Sequence, residues 1–153
     1  METLNIKGKA ENANLLNGLL ADHFTLLLKV WQFHWNVVGP SFGSYHADFK
    51  ELYEAEFERV DSVAERIRAL GATPLGSMEA MLQKNHIFEH TSQAVPSAME
   101  MWKVINDDWH EVIQVIHSIH SQITEEDIAT KSFLENMAEE MEKEAWMIHS
   151  RLE

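Results

Sequence analysis

Only 6 glycines and 3 prolines interrupt 153 residues, so the chain has few places to turn and is expected to fold from long elements. Between those interruptions the apolar residues recur on a helical period. The first stretch, about Asn12 to Val38, spaces Leu16, Leu20, Phe24, Leu27, Leu28, Trp31 and Trp35 in this way. A second set, Leu15, Leu19, Leu26, Val30, Phe33 and Val37, covers other faces. A helix apolar on several faces buries several faces, which in a small domain points to contacts between subunits. Gly39-Pro40 ends this helix, and Ser41 or Ser44 is placed to cap the next. The second stripe runs through Tyr45, Phe49, Leu52, Val60, Val63, Ile67 and Leu70 to Gly71, a C-terminal cap, with Pro74 just beyond. The stretch "TPLGSMEAMLQKNHIFEHTSQAV" predicts a loop carrying a short helix near Ser77 to Gln83. Pro96 is expected in the first turn of a third long helix that reaches about Gln122. Thr124 with Asp127 resembles a capping box for the last helix, whose stripe is Leu134, Met137, Met141, Ala145, Ile148 and Leu152.

Four amphipathic helices in one chain predict an all-α fold, a four-helix bundle with room for a crossover in the long link between the second and third long helices. We expect a single domain over residues 1–153, with about 1–11 as a short N-terminal tail. No apolar run approaches the ~20 residues needed to span a bilayer, and the N-terminus lacks the apolar core of a signal peptide. The expected location is therefore cytoplasmic, with no membrane partner. With no cysteine, any metal site must use histidines and carboxylates. A formal net charge of −13 repels phosphates and makes DNA binding unfavourable; Lys7 and Lys9 are offset by Glu2 and Glu11. The same charge suits cations.

A bundle can hold two metals internally through Glu-x-x-His pairs. The sequence contains no Glu-x-x-His. On the second helix, however, His46, Lys50, Asp61 and Glu65 fall within about 100° of one another at ~100° per residue. Asp61 and Glu65 are i and i+4, so both carboxylates can grip one cation. His34 lies a turn before the Gly-Pro break and His46 shortly after it, so the two histidines can face each other at one end of a hairpin. Yet His46 and Asp61 are 15 residues apart, about 22 Å along a helix, whereas ligands lie about 2 Å from their ion. The histidines and acids of one chain cannot share an ion. Two copies packed antiparallel about a two-fold axis near Glu54 and Ala55 can, and they build the site twice.

The blocks "HWNVVGPSFGSYH" and "VDSVAERIRALGATP", with a weaker echo in "EKEAWMIHSRLE", resemble the Dps family, small ferritin-like proteins that protect starved bacteria. The resemblance implies a ferritin-like four-helix bundle with a short extra helix in the loop between helices two and three, assembled as a dodecameric hollow shell. It implies oxidation of Fe(II), preferably with hydrogen peroxide, and storage of the ferric mineral inside. It assigns His34 and His46 as iron ligands from one subunit and Asp61 and Glu65 from its partner, with Trp35 beside the site as a sink for stray radicals. Other divalent metals such as zinc can occupy such a site. One departure matters: four residues after the second histidine the family usually has an aspartate, and this chain has Lys50. A protonated ammonium cannot ligate and repels a nearby cation. We therefore expect one better metal position and a weakened second, with Lys50 pairing with an acid of the partner. The alternative outcome is a shell that sequesters iron or another divalent metal with weak or lost ferroxidase activity.

Family members admit iron through acidic pores near the start of the last helix, which makes Asp127 and Glu135 pore candidates, weakened by Lys131 and Ser132. His117 and His120 are i and i+3, with His110 a heptad before His117, but no carboxylate joins that pair from its own helix. Trp102, Trp109 and Trp146 are expected in core and interface packing.

Overall fold

The four apolar stripes become four long helices in a computed structural model that describes residues 5–153. They are α1 (Lys9–Asn36), α2 (Phe42–Ala69), α4 (Ala98–Gln122) and α5 (Ile128–His149), with the short α3 (Met78–Leu82) in the link between α2 and α4. The fold is all-α, and no described helix is long and apolar enough to cross a membrane. α1 packs along α2 and against α4, and α4 packs against α5.

The core takes one stripe from each helix. Leu16, Leu20, Val30 and Phe33 meet Phe49, Val63 and Ile67, then Trp102, Trp109 and Ile116, then Leu134, Met141 and Ile148, all almost fully buried. Trp102 is anchored by Phe49 at 4.4 Å and Tyr45 at 5.6 Å between ring centroids, with the Arg151 guanidinium 4.8 Å from its ring. Trp31 and Trp35, part of the apolar pattern of the first helix that pointed to contacts between subunits, are 40% and 56% exposed. Trp146 on α5 is also exposed, unlike Trp102 and Trp109.

The helix ends differ from the sequence expectation in detail. α1 begins at Lys9 rather than Asn12, so residues 9–11 of the expected tail are helical, and it ends at Asn36; residues 1–4 lie outside the described residues. Ser41 sits at the N-cap of α2 without a side-chain capping bond. Pro96 precedes the cap of α4: Ser97 and Glu100 form the capping box there, each side chain accepting from the other's backbone N–H. Asp127 is itself the N-cap of α5 and accepts from the Thr130 N–H at 3.1 Å. Thr124 instead donates its hydroxyl to the Lys7 carbonyl.

Three buried polar clusters tie the helices together. At the bundle centre, Glu56 accepts from His23 Nδ1 and from Arg59 Nη1, both at 2.7 Å. Arg59 Nη2 donates to Glu144 at 2.8 Å, and Trp109 Nε1 donates to the other Glu144 oxygen at 3.1 Å. Burial pushes the Glu56 carboxyl up, but the facing His23 and Arg59 outweigh it and hold it below the usual carboxylate range. At the start of α5, Asp127 takes Asn12 Nδ2 at 2.9 Å and Arg66 Nη2 at 2.8 Å. Against α1, the buried Asp22 accepts from the backbone N–H of His86 and from its Nδ1.

Candidate metal centre

Gly39, at φ 113°, turns the chain between α1 and α2, a conformation that side chains other than glycine rarely adopt. The tight reversal brings the last turn of α1 beside the first turns of α2. His34 and His46 then lock each other: His34 Nδ1 lies 2.7 Å from the His46 carbonyl oxygen and His46 Nδ1 lies 2.9 Å from that of His34. A carbonyl oxygen only accepts, so both Nδ1 atoms carry protons. In the neutral imidazoles the lone pairs are therefore on the two Nε2 atoms, which are left able to bind a metal. The rings stack with centroids 3.8 Å apart and 21° between planes. Both histidines are half-buried.

Aromatic rings fix the pair from outside. Tyr53 meets His34 edge-on at 5.2 Å and stacks on Trp31 at 5.5 Å, and Trp31 contacts Trp35 at 5.3 Å. Phe42 lies 5.0 Å from His46. The sequence reading missed Tyr53, although it stands seven residues after His46, two helical turns on along the same face.

Asp61 and Glu65 stand on the second half of α2, exposed, with no hydrogen-bond or ion-pair partner for their side chains among the described residues. The fold thus joins the two histidines and leaves both acids apart from them. Among the described residues, no three histidine or carboxylate side chains converge to hold a metal within one chain. Lys50 forms an i, i+4 pair with Glu54 at 3.6 Å, with both side chains more than half exposed, so this contact adds little stability. The hairpin carries an apolar outer surface: Trp31, Trp35 and Phe57 are exposed on it.

Asp127 does not fit a pore lining. It is 1% exposed and committed to Asn12, Arg66 and Thr130. Burial raises its pKa, while the bonds from Thr130 and Asn12 and the Arg66 charge bring it net below the usual range. Glu135 is exposed, with His120 Nε2 at 2.8 Å. Lys131 pairs with Glu125.

Residues 13–153 match the ferritin-like domain model. The chain is 33% identical to the DNA protection during starvation protein of Brevibacillus brevis, over 92% of this chain and 94% of that protein. The chain belongs to the Dps family. It is also 42% identical to a low temperature-induced protein of Nostoc sp., over 92% of this chain and 79% of that one. The crystal structure of the Dps protein from Vibrio cholerae O1, described as a member of a broad superfamily of ferritin-like diiron-carboxylate proteins, superposes with a TM-score of 0.91. It is 28% identical, with 100% of this chain and 98% of that one covered. The ferritin-like bundle expected from the sequence is therefore the observed fold, including the short helix between α2 and α4.

Proposed function

We propose that this Dps-family chain oxidises Fe(II) with hydrogen peroxide at sites shared between two copies and stores the ferric product in a hollow dodecameric shell, protecting a bacterial cytoplasm from oxidative damage. The observation that carries the proposal is the reciprocal His34–His46 lock, which commits both Nδ1 atoms to carbonyls and leaves both Nε2 atoms for a cation. Asp61 and Glu65 have no partner among the described residues, and the exposed Trp31, Trp35 and Phe57 supply an apolar surface for a neighbouring copy. Antiparallel pairing of two hairpins brings the acids of one to the histidines of the other.

In that site, His34 and His46 bind Fe(II) through nitrogen, and Asp61 and Glu65 of the second copy supply the negative charge that ferric iron needs more than ferrous. Hydrogen peroxide takes one electron from each of two ferrous ions, its O–O bond breaks to give two hydroxide ions, and hydrolysis of the ferric ions by water releases protons. Trp35, in contact with Trp31, is placed to give an electron to any stray radical before it diffuses away. Lys50 supports a second reading, a shell that sequesters iron or another divalent cation with attenuated oxidation. It stands one turn after His46, and its charge opposes a second ion there.

Anaerobic Fe(II) binding followed by rapid mixing with peroxide tests the first reading. The wild-type protein is expected to form ferric species at once, and His34→Ala/His46→Ala to lose both binding and rate. Unchanged kinetics in that variant would overturn the assignment.

A further inference from the structure

A row of oxidisable rings leads away from the histidine pair. Tyr53 meets His34 edge-on with centroids 5.2 Å apart, Trp31 stacks on Tyr53 at 5.5 Å and 25°, and Trp35 lies 5.3 Å beyond Trp31. Two rings outside the pair touch it among the described residues, Phe42 and Tyr53. Of these, the phenol is the one that gives up an electron. Tyr53 is half-buried, and its hydroxyl has no hydrogen-bond partner among the described residues, so its proton is free to leave with that electron.

The charge of Lys50 gives Tyr53 a task. Lys50 follows His46 by one turn and opposes a second cation there, so peroxide meets one ferrous ion at a time. One Fe(II) supplies one electron, whereas cleavage of the O–O bond to two hydroxides takes two. A single electron splits peroxide into hydroxide and hydroxyl radical, the outcome that a protective site has to avoid. The missing electron has to come from a group in contact with the iron ligands. Lysine and carboxylate side chains do not give one up, and imidazole is harder to oxidise than a phenol.

We propose that Tyr53 lends the second electron of peroxide reduction while the site holds one iron. Fe(II), hydrogen peroxide and the Tyr53 phenol give Fe(III), hydroxide, water and the Tyr53 phenoxyl radical. The O–O bond breaks, iron and tyrosine each lose one electron, and the phenol proton leaves in the water. The next Fe(II) to arrive returns the electron: with water it gives Fe(III), hydroxide and restored Tyr53. Trp31 covers one face of the Tyr53 ring and shields the radical until that ion arrives. Two ferrous ions thus consume one peroxide in succession rather than side by side. The inference rests on the peroxide reaction proposed above. It differs from a sink for stray radicals in timing, because Tyr53 acts before a hydroxyl radical exists.

The chain holds 2 tyrosines, and Tyr45 packs against Trp102 in the core, so substitution assigns a tyrosyl signal to one or the other. Full-length protein loaded anaerobically with fewer Fe(II) ions than sites is mixed with peroxide and freeze-quenched for electron paramagnetic resonance, with ferric absorbance followed in parallel. A tyrosyl radical comparable in amount to the ferric ion is expected. Tyr53→Phe is expected to lose that signal and to release several times more hydroxyl radical to a spin trap, while Tyr45→Phe keeps it. Lys50→Asp, which admits a second ion, is expected to lower the tyrosyl yield severalfold when Fe(II) is in excess, a change that a packing role for Tyr53 does not produce. Ferric absorbance without a tyrosyl signal in the wild type, an undiminished signal in Tyr53→Phe, or an unchanged yield in Lys50→Asp overturns the inference and leaves the iron oxidation proposed above standing. Absence of ferric absorbance overturns both.

Discussion

Mixing two inactive variants separates a shared site from one built within a single chain. His34→Ala/His46→Ala removes the nitrogen ligands, and Asp61→Asn/Glu65→Gln removes the acids; each alone is expected to abolish peroxide-dependent iron oxidation. His46 and Asp61 are 15 positions apart on one continuous helix, about 22 Å along its axis, so no rotamer closes the gap within a chain. Refolded together in equal amounts with random pairing, roughly half of the two-fold pairs contain one chain of each type. In a mixed pair, one site has lost everything and the other retains all four residues. Recovery of about a quarter of the wild-type sites follows from that two-fold geometry. A site confined to one chain predicts no recovery. Stopped-flow absorbance of ferric formation gives the rate, and native mass spectrometry with one variant isotopically labelled shows that mixed pairs formed. Mixed pairs with no recovered activity would refute the shared geometry.

The other predictions concern Lys50 and the bundle centre. Lys50→Asp restores an acid one turn after His46, so iron bound per chain and peroxide-dependent rate should both rise; an unchanged count would mean that Lys50 does not disturb the second position. Glu56→Ala strands the buried Arg59 and His23 and should cost about 3–5 kcal/mol in chemical denaturation, while Glu56→Leu/Arg59→Met costs far less. Equal losses for the two would argue against that account. Glu56 and Asp127 both have depressed folded pKa values. Their stabilisation is therefore complete above the ordinary carboxylate range and fades as pH falls through the folded values. The midpoint of thermal unfolding should be level near neutrality and fall on acidification, and a midpoint that rises in acid would contradict both assignments.

The sequence was a good guide wherever one helix could speak for itself. The stripe from Leu134 to Ile148 and the stop at Gly39-Pro40 needed only a period and a turn residue, and both were legible. The His34–His46 pairing was also legible, because a tight turn forces the flanking residues together. What could not be read was contact between helices distant in sequence. Glu56 lies 33 residues from His23, and Glu144 is 85 from Arg59; neither spacing means anything until the bundle closes. Asp127 was read as a pore candidate for the same reason: an acid at a helix start suggests exposure, but Asn12 and Arg66 arrive from elsewhere and bury it. Trp31 and Trp35 belong to an apolar pattern that continues past the core onto the outer surface, and pattern alone does not say which of two partners a face awaits.

The centre of this bundle is closed to a metal by its own side chains. His23, Glu56 and Glu144 come from three helices and are the donor types that hold metals inside other bundles. Here the Arg59 guanidinium sits among them and satisfies both carboxylates, giving Glu56 an acidic pKa despite complete burial. A guanidinium cannot leave or be deprotonated at any accessible pH, so the position is closed to an exchangeable cation. Removing it would strand two acids, which is why the arrangement resists drift toward an internal site. A chain with its central charge demand met by its own side chain can still bind cations where acids lack partners. Asp61 and Glu65 are such acids among the described residues, and in the proposed pairing the histidines that reach them belong to another copy.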